Sequence, residues 1–218
     1  MGVASRSSHL YDSFLRKIPR QSRSRSVVEA ILVATIDRLQ RDGDETPSLE
    51  AIAARAGVGI GSLYDYFSDR QGLLAGLVAK ITEDNLQAFE RLLRASHDLP
   101  LEEAVSSIVD HVLTTYVADP KLARFALRMA YQLGLVPTLA ETQTVFARSL
   151  ATALAARTDL GPPRDYSATA YVLTHAMMGI VHTQLWEDPS GARAGAPTSP
   201  ETIRAEIVTM VLHTIRRG

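Results

Sequence analysis

The sequence contains no cysteine. A disulfide framework, a thiolate zinc site, an iron–sulfur cluster and a cysteine nucleophile are therefore excluded. The single asparagine, Asn85, is followed by Leu86 and Gln87, so the chain has no N-glycosylation sequon. Together these absences favour a cytoplasmic protein.

The N-terminus lacks the apolar run of a secretory signal peptide, and we expect no such signal. Residues 166–186 contain no Asp, Glu, Lys or Arg, and this uncharged stretch is long enough to cross a bilayer. Because the same stretch carries several Ser, Thr, His and Gln side chains, we interpret it as a helix buried in protein and expect no membrane contact.

Motifs for catalysis and metal binding are also missing. No Gly-x-Ser-x-Gly elbow and no His-Glu-x-x-His pair occurs. His175 and His182 share one predicted helix face, but the spacing supplies no third metal ligand. The glycines from Gly57 to Gly61 follow a helix rather than a strand, and no Lys-Ser or Lys-Thr pair completes a P-loop. We therefore predict no enzyme activity, no catalytic residue, no metal and no cofactor.

The net charge of −1 conceals an uneven distribution. Residues 1–26 contain six basic residues and one acidic residue. Residues 1–80 contain 11 basic and 9 acidic residues, whereas residues 81–218 contain 12 and 15. A basic N-terminal segment on a neutral-to-acidic body is suited to local contact with phosphate.

Apolar residues recur at helical spacing along the chain, and no alternating strand pattern appears, so we predict an all-α fold of about nine or ten helices. Ser68 and Gln71 fit a capping box at the start of a helix running to Leu92 or Leu93. A mobile linker is predicted between Glu187 and Ser199. Helices are predicted to begin near four proline sites: Leu99-Pro100, Asp119-Pro120, Val136-Pro137 and Gly161-Pro162-Pro163.

The segment from Ser48 to Phe67 has the spacing of a helix-turn-helix. Ala53 is small at the point where two short helices would cross, and Gly57 can adopt the left-handed conformation that the turn requires. Leu63 supplies an apolar contact from the second helix, and Phe67 ends the unit against the core. In such a unit the second helix is the one that enters the DNA major groove.

These residues give the sequence its resemblance to the tetracycline-repressor (TetR) family of bacterial transcription regulators. The resemblance covers about residues 23–80 and lies in Ile52-Ala53, Ala56-Gly57-Val58, Gly61-Ser62-Leu63-Tyr64, Tyr66-Phe67, Arg70 and Leu73-Leu74. Two residues depart from the family pattern. Gly59 replaces a serine that often caps the second helix, and Arg70 replaces a common lysine while keeping its charge.

We divide the chain into three segments. The charge pattern predicts that residues 1–21 are a basic flexible arm, and the apolar residues near Leu10 indicate a short helix within it. The resemblance implies that residues 22–80 are a DNA-binding domain whose motif is 48–67. Residues 81–218 would form a helical effector-binding and dimerisation domain.

Candidate DNA-binding residues lie on the second helix of the motif and beside it. They are Arg23, Arg25, Ser48, Gly59, Ile60, Gly61, Ser62, Tyr64, Asp65, Tyr66 and Arg70. Ile60 is suited to a thymine methyl group, and Ser62 to a base edge or a phosphate. Because this helix contains no Arg or Lys, the usual reader of guanine is missing, and we expect modest direct readout supplemented by DNA shape.

The resemblance also implies an effector pocket and a homodimer. The pocket candidates are aromatic, Met and His side chains, which suit a small and largely apolar ligand: His111, Tyr116, Phe125, Met129, Tyr131, Phe146, Tyr171, His175, Met178 and His182. The dimer candidates lie on the uncharged helix and on the last helix: Val172, Ala176, Gly179, Thr183, Ile203, Ile207 and Met210. Ordinary packing within the chain stays open for each of them.

The leading hypothesis is a ligand-responsive repressor that binds a palindromic double-stranded DNA operator as a homodimer and is released by its effector. Co-repression follows the same physics with the opposite sign. Two alternatives stay open. One is an effector-independent DNA binder, which the absence of a central cavity would favour. The other is a helical adaptor or enzyme that has lost DNA contact, favoured by Gly59, Asp65 and the missing recognition-helix cations.

Overall fold

The computed structural model describes residues 9–42, 47–162, 164–186 and 199–217, except for the side chains of residues 42, 116–118, 184 and 186. Within these ranges the chain forms one 3-10 helix and nine α-helices without a strand, which confirms the all-α prediction. The 3-10 helix spans Leu10–Phe14. The α-helices are α1 (Ser22–Asp42), α2 (Leu49–Ala56), α3 (Ile60–Tyr66), α4 (Arg70–Ala95), α5 (Leu101–Ala118), α6 (Pro120–Gln132), α7 (Val136–Ala155), α8 (Ser167–Trp186) and α9 (Pro200–Arg217). The predicted linker falls on residues 187–198, outside the described residues.

The chain divides into two compact units. The N-terminal unit comprises Met1–Asp84 together with Arg124–Val136. The C-terminal unit comprises Asn85–Ala123 together with Pro137–Gly218.

In the N-terminal unit, α1 provides the central apolar stripe around which the helix-turn-helix packs. Val28 and Leu32 are fully buried and Leu39 nearly so, as their helical spacing predicts. Thr35 is also fully buried, and its hydroxyl donates to the Ile31 carbonyl at 2.8 Å, so the one polar group of the stripe is satisfied. Burial of this stripe fixes one face of the unit and leaves α3 to present the other.

Side-chain caps set the first residues of α2 and α4. The Ser48 hydroxyl accepts from the Ala51 amide at 3.1 Å and starts α2. The capping box predicted at Ser68 and Gln71 is wrong, because α4 begins at Arg70 and the Asp69 carboxylate accepts from the Gly72 amide at 2.8 Å. The Gly72 amide, with the Ser68 hydroxyl, lowers the pKa of Asp69. A carboxylate is a stronger acceptor than a hydroxyl at a helix N-terminus, so the cap lies one residue later.

Three of the four proline sites begin helices as predicted, at the N-termini of α5, α6 and α7. Asp119 caps α6 by accepting from the Leu122 amide at 3.0 Å. The fourth site differs, since α8 begins at Ser167, whose amide donates to Asp165 at 2.8 Å. The Asp165 carboxylate thus satisfies the first free amide of α8, several residues after the prolines.

The core of the C-terminal unit joins α5, α8 and α9. Val109, Leu173 and Ile215 are almost completely buried in it. Arg204 of α9 pairs with Asp110 of α5 at the edge of this core, through a bond of 2.7 Å between Nη2 and Oδ2. No helix in the described part of the chain is both long and apolar enough to cross a bilayer.

Candidate functional site

The turn between α2 and α3 has the backbone that a helix-turn-helix requires. Gly57 ends α2 in the left-handed conformation with φ of 69°, which a residue with a side chain rarely adopts. The Val58 amide donates to the Ala53 carbonyl at 3.0 Å and closes the turn. Gly59 precedes α3 and offers no side-chain cap to it.

The side chains of α3 are divided between the core and the surface. Leu63 and Phe67 are both 0% exposed and fix the helix against the core of the N-terminal unit. On the other side of the helix, Ile60 is 38% and Tyr64 is 40% exposed, so both side chains are open to a partner. The remaining predicted DNA-binding residues of the helix follow the same pattern, with Gly61 and Asp65 exposed and Ser62 and Tyr66 half-buried.

The predicted residues beside α3 belong to the same unit but differ in availability. Arg23 is exposed in the first turn of α1. Arg25 is half-buried, and its Nη1 is buried without a hydrogen-bond partner among the described residues. The Ser48 hydroxyl is engaged in its capping bond, and Arg70 is half-buried with an interaction of its own. Of these four, Arg23 is the side chain most freely placed for a phosphate.

The C-terminal unit contains a cavity of about 120 Å³, lined by side chains of α4, α5, α7, α8 and α9, of the segment before α5 and of Arg157 after α7. Three of the predicted pocket residues, His111, Phe146 and Met178, line it. Most of the lining lies outside the predicted set and consists of aliphatic and aromatic residues such as Phe89, Val105, Ile108, Leu150, Met177 and Val211.

The other predicted pocket residues lie elsewhere. Phe125, Met129 and Tyr131 are on the part of α6 that belongs to the N-terminal unit. Tyr171 is 55% exposed, and the His175 ring lies against it with a centroid distance of 4.0 Å.

His182 is half-buried on α8 and is not among the residues that line the cavity. Burial lowers its pKa, which favours the neutral imidazole. The side chain of Tyr116 lies outside the described residues.

The guanidinium of Arg157, at the cavity wall, is already paired. The Arg157 guanidinium donates to Asp159 at 2.6 and 2.8 Å and to the Leu99 carbonyl at 2.7 Å. Among the described residues, no Asp or Glu lines the cavity. Asn85, His111 and Thr174 are polar lining groups without a side-chain hydrogen bond to another described residue, so the wall is mostly apolar with a few polar positions.

The predicted dimer residues separate into a surface set and a core set. On α8, Val172 is 57% exposed, Gly179 and Thr183 are exposed and Ala176 is half-buried. On α9, Met210 is 37% exposed, whereas Ile207 is 4% exposed in the core of the chain and Ile203 packs against that core.

One part of the cavity has a signal in the sequence. The apolar stripe of α5 that runs through Leu101, Val105, Ile108 and Val112 lines the cavity at helical spacing. Choosing pocket candidates by residue type overlooks this stripe. In the described part of the chain, no group of three or more His, Asp or Glu residues could hold a metal ion.

Two family models match the chain. The model described as "Bacterial regulatory proteins, tetR family" matches residues 31–77, and the model described as "Tetracyclin repressor-like, C-terminal domain" matches residues 100–213. No curated protein matches the sequence significantly.

Solved structures share the fold at low sequence identity. A protein from Mesorhizobium loti assigned to the TetR family of transcriptional regulators is 18% identical, with a TM-score of 0.60 over 91% of this chain and 96% of that one. The multidrug binding protein EbrR, crystallised with imidazole, is 19% identical, with a TM-score of 0.55 over 88% and 95%. A TetR transcriptional regulator from Rhodococcus sp. RHA1 is 19% identical, with a TM-score of 0.50 over 89% and 98%.

Proposed function

The chain belongs to the TetR family of bacterial regulatory proteins, and from that premise we propose that it is a homodimeric repressor released from a palindromic operator by a small effector. Members of this family are DNA-binding transcription regulators. The proposal places the protein in the cytoplasm with its DNA and includes no catalytic step, metal or cofactor. Residues 22–80 would serve DNA binding, and residues 81–218 effector binding and dimerisation.

The division of α3 between core and surface carries the proposal. A helix that reads DNA needs one face buried for rigidity and the other left bare, as Leu63 and Ile60 illustrate. Ile60 is suited to thymine methyl groups, while Ser62 and Tyr64 offer hydroxyls to base edges or phosphates. Asp65 would accept from a cytosine amino group or face solvent, since phosphates repel it.

The proposed dimer uses the outward face of α8. Tyr171 and Val172 are both more than half exposed and adjoin the small residues Gly179 and Thr183 along the helix. Small residues permit close helix approach, and exposed apolar side chains beside them favour a protein partner. Met210 of α9 would extend this surface. A symmetric dimer would present two copies of α3 to two half-sites.

The proposed effector is uncharged and about the size of one ring. A cavity of about 120 Å³ compares with engineered apolar cavities of about 150 Å³ that bind benzene. An ionised ligand would lose its hydration without gaining an opposite charge, because no carboxylate is among the described residues that line the wall and Arg157 is already paired. Asn85, His111 and Thr174 would supply one or two hydrogen bonds. The cavity counts against an effector-independent DNA binder.

Selection of bound duplexes from a random DNA pool tests DNA binding and identifies the operator in the same experiment. The expected result is enrichment of an inverted repeat, because the dimer reads two equivalent half-sites. Recovery of no preferred duplex, by a protein that remains folded, would contradict the proposal.

Phenol, benzoate and benzylammonium are matched probes of the effector site. Phenol is expected to raise the thermal unfolding midpoint and weaken binding to the selected duplex, whereas its charged counterparts have neither effect. Ala153→Leu, which narrows the cavity, should abolish the response to phenol, and Ala140→Leu at an exposed position of the same helix should retain it. A stronger response to either charged probe would refute the assigned ligand class.

A further inference from the structure

Residues 9–20, named here the N-terminal clasp, are docked on the N-terminal unit. They include the 3-10 helix Leu10–Phe14 and precede α1. The family model for the DNA-binding region begins only at residue 31, so the clasp lies outside the residues that this model matches.

Two carboxylates on separate helices hold the beginning of the clasp. Tyr11 is 0% exposed, and its hydroxyl donates to Glu29 of α1 at 2.9 Å. Burial, with Glu29 beside it, raises the pKa of Tyr11, so the hydroxyl remains a donor. The Leu10 amide donates to Glu83 of α4 at 2.9 Å, and the His9 ring nitrogen Nδ1 lies 2.7 Å from the same carboxylate. A buried aromatic and two long-range carboxylates fix this segment in place.

The end of the clasp holds the C-terminal end of α3. The Arg16 amide donates to the Tyr66 carbonyl at 2.9 Å, and Arg16 Nη1 donates to the Tyr64 carbonyl at 3.1 Å. The last four carbonyls of a helix lack partners within it, and the clasp satisfies two of them. Such support matters because α3 has only seven residues and no side-chain cap from Gly59.

The clasp also brings positive charge to a helix that has none. Arg16, Lys17 and Arg20 are exposed, and Lys17 directly follows the residue bonded to α3. Within the described ranges, Lys17 and Arg20 have no ion-pair partner. From Ser13 to Arg20 the clasp has no acidic residue, whereas α3 carries Asp65 and no cation. A DNA phosphate is the partner that this charge fits.

We propose that the N-terminal clasp is part of the DNA-reading surface, with Arg16 positioning α3 and with Lys17 and Arg20 binding phosphates of the same duplex. This inference rests on the proposed DNA-binding function and extends the contact beyond the helix-turn-helix. The cations that α3 lacks would thus come from a segment that precedes it by about 40 residues in sequence.

The phosphate contacts are tested with the full chain and the selected duplex. Lys17→Ala combined with Arg20→Ala should weaken binding about tenfold and reduce the slope of log K against log salt by up to about 1.8, about 0.9 for each lost phosphate contact. Arg91→Ala combined with Arg94→Ala removes the same charge from exposed positions of α4 in the C-terminal unit and should leave the slope unchanged. Equal slopes for both double variants would overturn the phosphate role.

The positioning role of Arg16 needs a different readout. Arg16→Ala should weaken binding to the selected duplex about three- to tenfold more than binding to a scrambled duplex of equal length, because α3 loses a bond that holds it. Amide hydrogen exchange should also quicken in α3 while the thermal midpoint of the protein stays near that of wild type. An unchanged ratio between the two duplexes would overturn this role.

The outcomes separate the inference from its premise. If wild type binds the selected duplex and the clasp variants behave like wild type, the inference fails and the proposed function stands. If wild type selects no duplex, the proposed function fails, and the inference fails with it.

Discussion

The candidate site of the N-terminal unit lies on its surface, whereas that of the C-terminal unit lies in its interior. In the N-terminal unit the candidate site faces outward, since Ile60 and Tyr64 are exposed while Leu63 between them is fully buried. In the C-terminal unit the candidate site faces inward, where Met177 and Leu173 form both the core and the cavity wall. A substitution in the outward site can therefore leave the core unchanged, whereas a substitution in the inward site also changes the packing of the core.

In the N-terminal unit, the residues proposed to bind DNA are therefore distinct from those that stabilise the fold. In the C-terminal unit, the same residues line the proposed effector site and form the core. A substitution at Ile60 would remove a proposed contact with DNA and leave the buried packing of α3 intact. A substitution at Leu173 changes the space offered to a ligand and the core that holds α8 to α9. Affinity for DNA and affinity for effector should therefore respond to mutation in different ways.

The largest expected effect is the difference in stability between a buried and an exposed substitution in α3. Leu63→Ala should cost about 2–5 kcal/mol of unfolding free energy, because the side chain is 0% exposed, and should abolish DNA binding. Ile60→Ala should change stability by less than about 0.5 kcal/mol. Urea unfolding followed by circular dichroism measures both variants, and equal destabilisation by the two would break the comparison.

An outward surface in the C-terminal unit gives the second effect. Val172→Glu should convert the proposed dimer to a monomer because it places a charge on the apolar face of α8, and it should lower operator affinity at least tenfold. The monomer should stay folded, since Val172 is 57% exposed in the chain. Light scattering coupled to size exclusion gives the mass. A Val172→Ala control should remain dimeric, and a dimeric Val172→Glu variant would exclude this face as the interface.

The smallest expected effect is the pH dependence of stability that comes from His182, a half-buried residue of the C-terminal unit. Burial lowers the pKa of His182, so the unfolded state binds its proton more readily than the folded state. The resulting stability is fully present above the ordinary histidine pKa of about 6.5 and falls as the pH decreases toward the folded value. His182→Gln should flatten the loss of stability below about pH 6.5, with His213→Gln on an exposed side chain as the matched control. Urea midpoints measured across this range supply the test, and parallel curves for wild type and His182→Gln would contradict it.

The outward site is far easier to predict from the sequence than the inward one. The motif from Ser48 to Phe67 combines a cap, a left-handed glycine and apolar residues at fixed spacing, all of which act within a short stretch of chain. The cavity instead depends on which apolar faces of five helices meet. Selection by residue type therefore includes Phe125 and Tyr131, which belong to the N-terminal unit, and omits Phe89 and Val105.

Contacts between residues far apart in the sequence also limit what can be predicted for the N-terminal clasp. The clasp is held by Glu83, which lies 74 residues from His9, and no local pattern indicates that pairing. The start of α4 is mispredicted for the opposite reason, because Ser68 and Asp69 are both good caps and only their geometry decides between them.

The central claim is that α3 reads DNA through its exposed face. Ile60→Ala combined with Ser62→Ala, measured for affinity against the selected duplex and against a scrambled duplex, tests this claim most directly. We predict a loss of about 5- to 30-fold on the selected duplex, with the scrambled duplex and the unfolding midpoint nearly unchanged. Undiminished binding of the selected duplex by this double variant would contradict the claim.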